Sequence, residues 1–301
     1  MMIFILWLTA LIASPIIPQN SGDESYSESF TAFADLDDGS YVLVQFLFTN
    51  AGMGTDKAGC RILHVPKGKK GNNSSAQFSK KEWQSSAKRL QVGECYLQKG
   101  VRRTVFHGQT DAGTVNLRFD APIVKKKLND GTINIGKKSF YEQDILIMTA
   151  KVKAEIAIGG TKKTIEGYAQ LDHSRSNALL PDIAKKWIRF RGFRGKTPFF
   201  AQLRVSPKGV KKGWVYDYNN QKESSISNVQ LGADPILTFD QGSLVLSPAR
   251  IIYEYQPLKS YGVLGSLAKA WVGNPTTRTY RGVTTFNGEQ IEGLLEIVDI
   301  E

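Results

Sequence analysis

Cysteine is nearly absent from this chain: Cys60 and Cys95 are the only two among 301 residues. That excludes a disulfide-dense scaffold and any Cys-rich zinc module. Histidine is as scarce, with His64, His107 and His173 widely spaced, so no His-based metal site is expected. The chain has no G-x-S-x-G elbow, no H-E-x-x-H and no P-loop. No G-x-G-x-x-G follows a strand, and Gly52-Met53-Gly54 reads as loop. No cofactor is therefore expected. Acidic residues are outnumbered 28 to 39 by Lys and Arg, for a net charge of +11. What remains is an ordinary globular mix, 41% hydrophobic and 22% charged, neither disordered nor collagenous. A chain of this length buries one large core or two of about 150 residues each.

The one long uncharged apolar run is Met1 to Ile12, MMIFILWLTALI. It is short for a bilayer-spanning helix and fits the h-region of a secretory leader. No Lys or Arg precedes it, Pro15 blocks cleavage after Ser14, and no nearby Cys offers a lipid anchor. The competing reading is a first strand or docking segment. Export is the expectation, periplasmic or secreted, with residues 15–29 as a polar linker. Export would put Cys60 and Cys95 where they can pair. A disulfide and two separate buried thiols both remain open.

The dominant signal beyond the leader is β. Phe30, Ala32, Ala34 and Leu36 alternate with Thr31, Phe33 and Asp35. Asp37-Asp38-Gly39 then leads into the apolar run Tyr41 to Phe48, a hairpin pattern. Residues 101–107 and 114–119 flank GQTDAG, another hairpin. In ILIMTAKVKAEIAI, residues 145–158, one apolar and one charged face alternate, which marks an antiparallel sheet covered on one side. Gly159-Gly160 turns it into residues 164–172. Pro181 to Lys186 reads as one helical turn and Gly262 to Val272 as a short helix. A second strand series runs from Trp187, and Asn287-Gly288 closes the last hairpin. The strands are too many for one eight-stranded barrel, so an all-β chain of two barrel-like halves is expected. The divisions are leader and linker 1–22, first barrel 23–180 and second barrel 181–301.

Basic residues are spread over several loops: Lys67, Lys69 and Lys70; Lys125 to Lys127; Lys185 to Lys196 with Arg189, Arg191 and Arg194; Lys208 to Lys212. They read first as a solvated surface and second as attraction to an anionic membrane. Nucleic acid is not an expected partner. Aromatic residues such as Phe46, Phe48, Trp187, Phe190, Trp214 and Tyr216 read as core or inter-barrel packing. Some of them are available to line a lipid-sized cavity, because a barrel of this size encloses one small ligand.

The most unusual segment is Gly167 to Phe193, GYAQLDHSRSNALLPDIAKKWIRFRGF. On a strand, Tyr168, Gln170, Asp172 and Ser174 share one face, and Leu171, His173 and Arg175 the other. Asp172 and His173 therefore cannot enter one cavity without a bulge. Either one of them reaches a pocket as proton donor or polar anchor, or Asp172 pairs with Arg175 to seal the corner between the halves.

GYAQLDHSRS, with the following Leu-Pro and WIRFRGF, resembles the two-domain lipocalin-like family. That family includes bacterial AttH-type proteins, carotenoid hydratases (hydroxyneurosporene synthases) and fungal survival-factor proteins. The terminal YRGVTTFNGEQIEGLLEI is similar to that family's closing hairpin, with Gly282, Gly288 and Gly293 in its glycine positions. The resemblance extends loosely over residues 29–297 and implies two consecutive lipocalin-like antiparallel β-barrels. It also implies handling of a hydrophobic ligand, a lipid or isoprenoid, and in the hydratase members protonation of an isolated double bond. Asp172 and His173 are the catalytic candidates it carries over, with Tyr168, Gln170, Arg175 and Trp187 as motif or ligand-binding positions. Protonating an alkene needs an acid kept neutral by apolar surroundings, and an adjacent Arg175 would oppose that.

Three functions follow in order. The first is an exported binder of a hydrophobic ligand. The second is a hydratase- or cyclase-type enzyme working by proton transfer. The third is a structural module without ligand. A continuous apolar cavity reaching a buried, unpaired Asp172 favours the enzyme, one reaching an Asp172 paired to Arg175 favours the binder, and no cavity favours the third.

Overall fold

The computed structural model describes residues 16–19, 22–50, 55–194, 197–217, 222–240, 242–256, 273–286 and 288–300. The leader, the Gly-Met-Gly loop, the expected helix at 262–272 and Asn287 lie outside the described residues.

The first half is a twelve-stranded antiparallel sheet. Its strands are β1 Ser27–Leu36, β2 Tyr41–Thr49, β3 Lys57–Val65, β4 Asn72–Phe78, β5 Trp83–Ser85, β6 Arg89–Val92, β7 Cys95–Lys99, β8 Thr104–Thr110, β9 Gly113–Phe119, β10 Lys126–Ile135, β11 Ser139–Ile158 and β12 Thr161–Ser176. Eleven of them follow the order β4-β3-β2-β1-β12-β11-β9-β8-β7-β6-β5, and β10 pairs separately with β11. The sheet curls until β3 faces β8 across a packed interior. There Phe30, Phe46, Phe106, Leu117 and Ile156 are fully buried. Cys60 of β3 and Cys95 of β7 form a disulfide with Cα atoms 6.6 Å apart, fastening the two ends of the curl.

After the single helical turn α1, Leu180–Ile183, the second half closes completely. Its strands are β13 Lys186–Arg194, β14 Thr197–Val205, β15 Lys211–Asp217, β16 Lys222–Gln230, β17 Ile236–Phe239, β18 Gly242–Tyr255, β19 Pro275–Phe286 and β20 Glu289–Ile300, each paired with the next and β20 with β13. Ile188, Phe190, Leu203, Leu244 and Leu295 fill its interior. Among the described residues, both interiors are occupied by apolar side chains of their own strands.

Strand polarity explains how the barrels meet. In β1 and β2 the outward side chains Phe33, Tyr41 and Leu43 are buried as well as the inward ones. A strand covered on both faces reads as a continuous apolar run, and Tyr41 to Phe48 is such a run. The cover comes from the second barrel: Leu294, Ile252 and Tyr253 pack on Phe33, Leu43 and Leu63. A second contact stacks Phe200 on Trp214, ring centroids 4.8 Å apart, against Leu128 and Ile145.

Two expectations change here. The stretch 15–29 is not simply a linker, since Ile16 is fully buried in the first core and β1 already begins at Ser27. Arg189 and Arg191 do not belong to a solvated surface; both lie in the inter-barrel seam with side chains 16% and 11% exposed.

Candidate functional site

A cavity of about 310 Å³ lies between the barrels, within the size range of small-molecule sites. One wall is the outer face of β1, β2, β3, β11 and β12. The other comes from α1, β13, β18, β19 and β20. Its lining is mixed: Phe33, Leu43, Leu63, Ile183 and Val298 give it an apolar side, Tyr141 and Trp187 add aromatic faces with ring centroids 5.4 Å apart, and Thr31, Gln45, Gln143, Arg175 and Glu296 are polar or charged. Asp172 and Arg189 also reach this wall.

Strand alternation separates the two acid–base candidates as expected. Asp172 faces the seam and lines the cavity. His173 points into the end of the first barrel, where its ring stacks on Phe30 at 4.5 Å. Its Nε2 lies 2.6 Å from Glu28 Oε1, and its Nδ1 is 3.9 Å from Asp144 Oδ2. Tyr26 Oη and the Gln19 backbone N–H also donate to Glu28, at 2.6 and 2.7 Å. That cluster is buried and satisfied from several sides.

The Asp172–Arg175 pair is not formed. Arg175 shares the face of His173, and its guanidinium grips Glu142 with Nη2–Oε2 2.6 Å and Nε–Oε2 2.8 Å. It also donates to Gln19 and lies over the Phe140 ring. Asp172 instead meets the second barrel, with Arg191 Nη2 3.7 Å from its Oδ2. Gln143 Nε2 donates weakly to the same oxygen at 3.4 Å. At 3.7 Å the Arg191 contact is a charge interaction rather than a hydrogen bond. Arg191 Nε donates to Gln170 and its guanidinium lies 3.9 Å over Phe33, while its buried Nη2, the nitrogen nearest Asp172, makes no hydrogen bond among the described residues.

Burial pushes the Asp172 carboxyl above the ordinary Asp range, outweighing the opposing pull of Arg191 and Arg189; Glu296 pushes the same way. Burial likewise lowers Arg191, against Glu296 and Asp172, which favour its charge. Burial would lower Arg189 too, but Glu296, 3.0 Å away, and the neighbouring Tyr141 and Asp172 carry it upward. The result is one tight pair, Arg189–Glu296, beside one loosely opposed acid.

Of the motif positions, Trp187 and Arg175 line this cavity. Gln170 acts by holding Arg191, and Tyr168 faces a separate cleft of about 700 Å³ between Asp35, Lys67 and Arg281. The indole N–H of Trp187 is buried and finds no acceptor among the described residues. Sequence reading missed Tyr141, Gln143, Glu296 and Arg61 as cavity residues. The one signal for Glu296 was its position at an outward site of a strand otherwise apolar from Leu294 to Ile297.

No protein family matches the sequence, and no curated protein does. Solved structures do resemble the fold. An AttH-assigned protein of Nitrosomonas europaea superposes with TM-score 0.62 and 11% identity, covering 96% of this chain and 99% of that one. Kievitone hydratase of Nectria haematococca gives 0.59 and 14%, covering 95% and 94%. CghA in complex with Sch210972 gives 0.54 and 11%, covering 96% and 94%. The chain shares their lipocalin-like two-barrel fold along nearly its whole length.

Proposed function

We propose that the chain holds a largely apolar small molecule in the inter-barrel cavity and that Asp172 delivers a proton to it, as in a hydration or cyclisation. The observation that carries this reading is a buried carboxyl on the wall of a cavity with apolar and aromatic surfaces, its Arg191 partner at 3.7 Å and its pKa raised by burial. A neutral acid at working pH is what alkene or carbonyl protonation requires.

In a hydration, the Asp172 proton adds to one carbon of a double bond. Positive charge develops on the other carbon, opposite the Tyr141 and Trp187 rings, whose faces stabilise a cation. A solvent water then bonds to that carbon, and its surplus proton returns to the Asp172 carboxylate. While Asp172 is ionised, Arg191 and Arg189 partly offset its charge. The Trp187 N–H offers a hydrogen bond to a ligand oxygen.

Fold likeness to kievitone hydratase and CghA supports this class without naming a substrate, because one fold hosts many chemistries. The plain-binder reading keeps the cavity and drops the proton transfer. We further propose export, supported by the apolar leader and the Cys60–Cys95 disulfide.

The test is incubation with polyenes and isoprenoids in D2O. Wild type should place deuterium on a product carbon and Asp172→Asn should not. Ligand that binds but never exchanges or reacts would leave the binder reading in place of the enzyme.

A further inference from the structure

The outward face of the first barrel carries a polar row beside a mainly apolar one. Asp172 pairs with Thr31, Thr31 with Gln45, and Gln45 with Arg61, so these four stand side by side across β12, β1, β2 and β3. Gln45 Nε2 donates to Thr31 Oγ1 at 3.1 Å, and all four line the inter-barrel cavity. The next row on the same face is Gln170, Phe33, Leu43 and Leu63, apolar across β1, β2 and β3. Three strand spacings separate the ends of the polar row, about 14 Å.

Arg61 differs from the other cations of this cavity. Arg175 holds Glu142 at 2.6 Å and Arg189 holds Glu296 at 3.0 Å. Among the described residues Arg61 has only neutral partners. Its Nε donates to Asn73 Oδ1 at 2.8 Å, it hydrogen-bonds Tyr253, and its guanidinium lies 3.9 Å over the Tyr255 ring. The two tyrosines belong to β18, so the second barrel orients this guanidinium while leaving its charge uncompensated. A planar guanidinium so held suits a carboxylate or a similar oxyanion.

We infer that Arg61 binds the ionised head group of an amphiphilic ligand whose apolar body lies against the neighbouring Leu63, Leu43 and Phe33 and reaches toward Asp172. The cavity thus selects an acid with an apolar chain, anchored at Arg61 about 14 Å from the proton donor. This rests on the inter-barrel cavity being the ligand site.

Calorimetry with dodecanoate and dodecanol at neutral pH, below micelle-forming concentrations, tests it. Wild type should bind dodecanoate about tenfold or more tighter than dodecanol, the worth of a charge-assisted contact. Arg61→Gln should erase that preference, and Arg61→Lys should keep part of it. Circular dichroism of each variant confirms the fold. Equal affinities in wild type, or a preference lost in Arg175→Gln but kept in Arg61→Gln, would overturn the assignment of Arg61 with the cavity intact. Binding of neither compound would overturn the cavity reading and this inference together.

Discussion

Asp172, on the last strand of the first barrel, and Arg191, on the first strand of the second, face each other across the seam at 3.7 Å without sharing a hydrogen bond. The gap matters because a tight buried pair would favour the ionised form of Asp172, and a loose one leaves burial to push its pKa upward.

Asp172→Asn should therefore fold. A carboxyl whose folded pKa is raised binds its proton more tightly in the folded state than in the unfolded one. Its contribution to stability is present at low pH. It is lost as pH rises from the unfolded value, about 3.9, through the folded one. Wild type should lose stability over that window, and the Asn variant should not. At pH 7 the variant should match wild type within about 1 kcal/mol or exceed it. Urea unfolding from pH 4 to pH 7 checks both statements. A loss of about 3–5 kcal/mol would instead mark a tight Asp172–Arg191 ion pair.

His173 should behave in the opposite way. It contacts buried Glu28 at 2.6 Å inside the first barrel and does not reach the cavity wall. Removing one member of such a contact costs up to about 3–5 kcal/mol. His173→Ala should lower the melting temperature markedly while its folded fraction retains ligand binding. Loss of binding with unchanged melting would move His173 back among the site residues.

A row of glycines lies on the inward face of the second barrel's strands that carry the seam arginines. Gly293 pairs with Gly192 on one side and Gly282 on the other. A Cβ at Gly293 would stand 2.1 Å from the Arg191 carbonyl oxygen. Backbone cannot yield as a flexible side chain can. Gly293→Ala should cost about 1–3 kcal/mol by overpacking and weaken cavity binding through displacement of Arg189 and Arg191. Melting curves beside ligand titrations measure the two effects together.

The Cys60–Cys95 bridge spans 35 residues. Loop-closure entropy puts its worth at about 3–4 kcal/mol. Reduction, or the double Ala variant, should lower stability by that amount. Thiol labelling of denatured native protein should find both cysteines oxidised. Free thiols in protein taken from its own host would count against the bridge and against export.

Much of this fold was legible because half-buried antiparallel strands leave a period of two. Phe30 to Leu36, residues 145–158 and the hairpin before Asp172 are plain in the sequence. The short strands β4 to β7 were not, since Asn72 to Phe78 is almost wholly polar and exposed at the sheet edge. Opposite faces for Asp172 and His173 followed from alternation alone. The partner of Asp172 did not. Arg175 lies three residues away in sequence but on the other face, whereas Arg191 arrives from another barrel. Arg189 and Arg191 read as solvated because an outward Arg looks the same whether water or a second barrel covers it.

The most direct test of the account is where an apolar ligand sits. A crystal structure with a bromine-labelled long-chain alcohol, the bromine located by its anomalous signal, answers this. The chain should lie between the barrels against Tyr141, Trp187 and Phe33, within reach of the Asp172 carboxyl. Bromine inside either barrel's core, or only on the outer surface, would contradict the inter-barrel site.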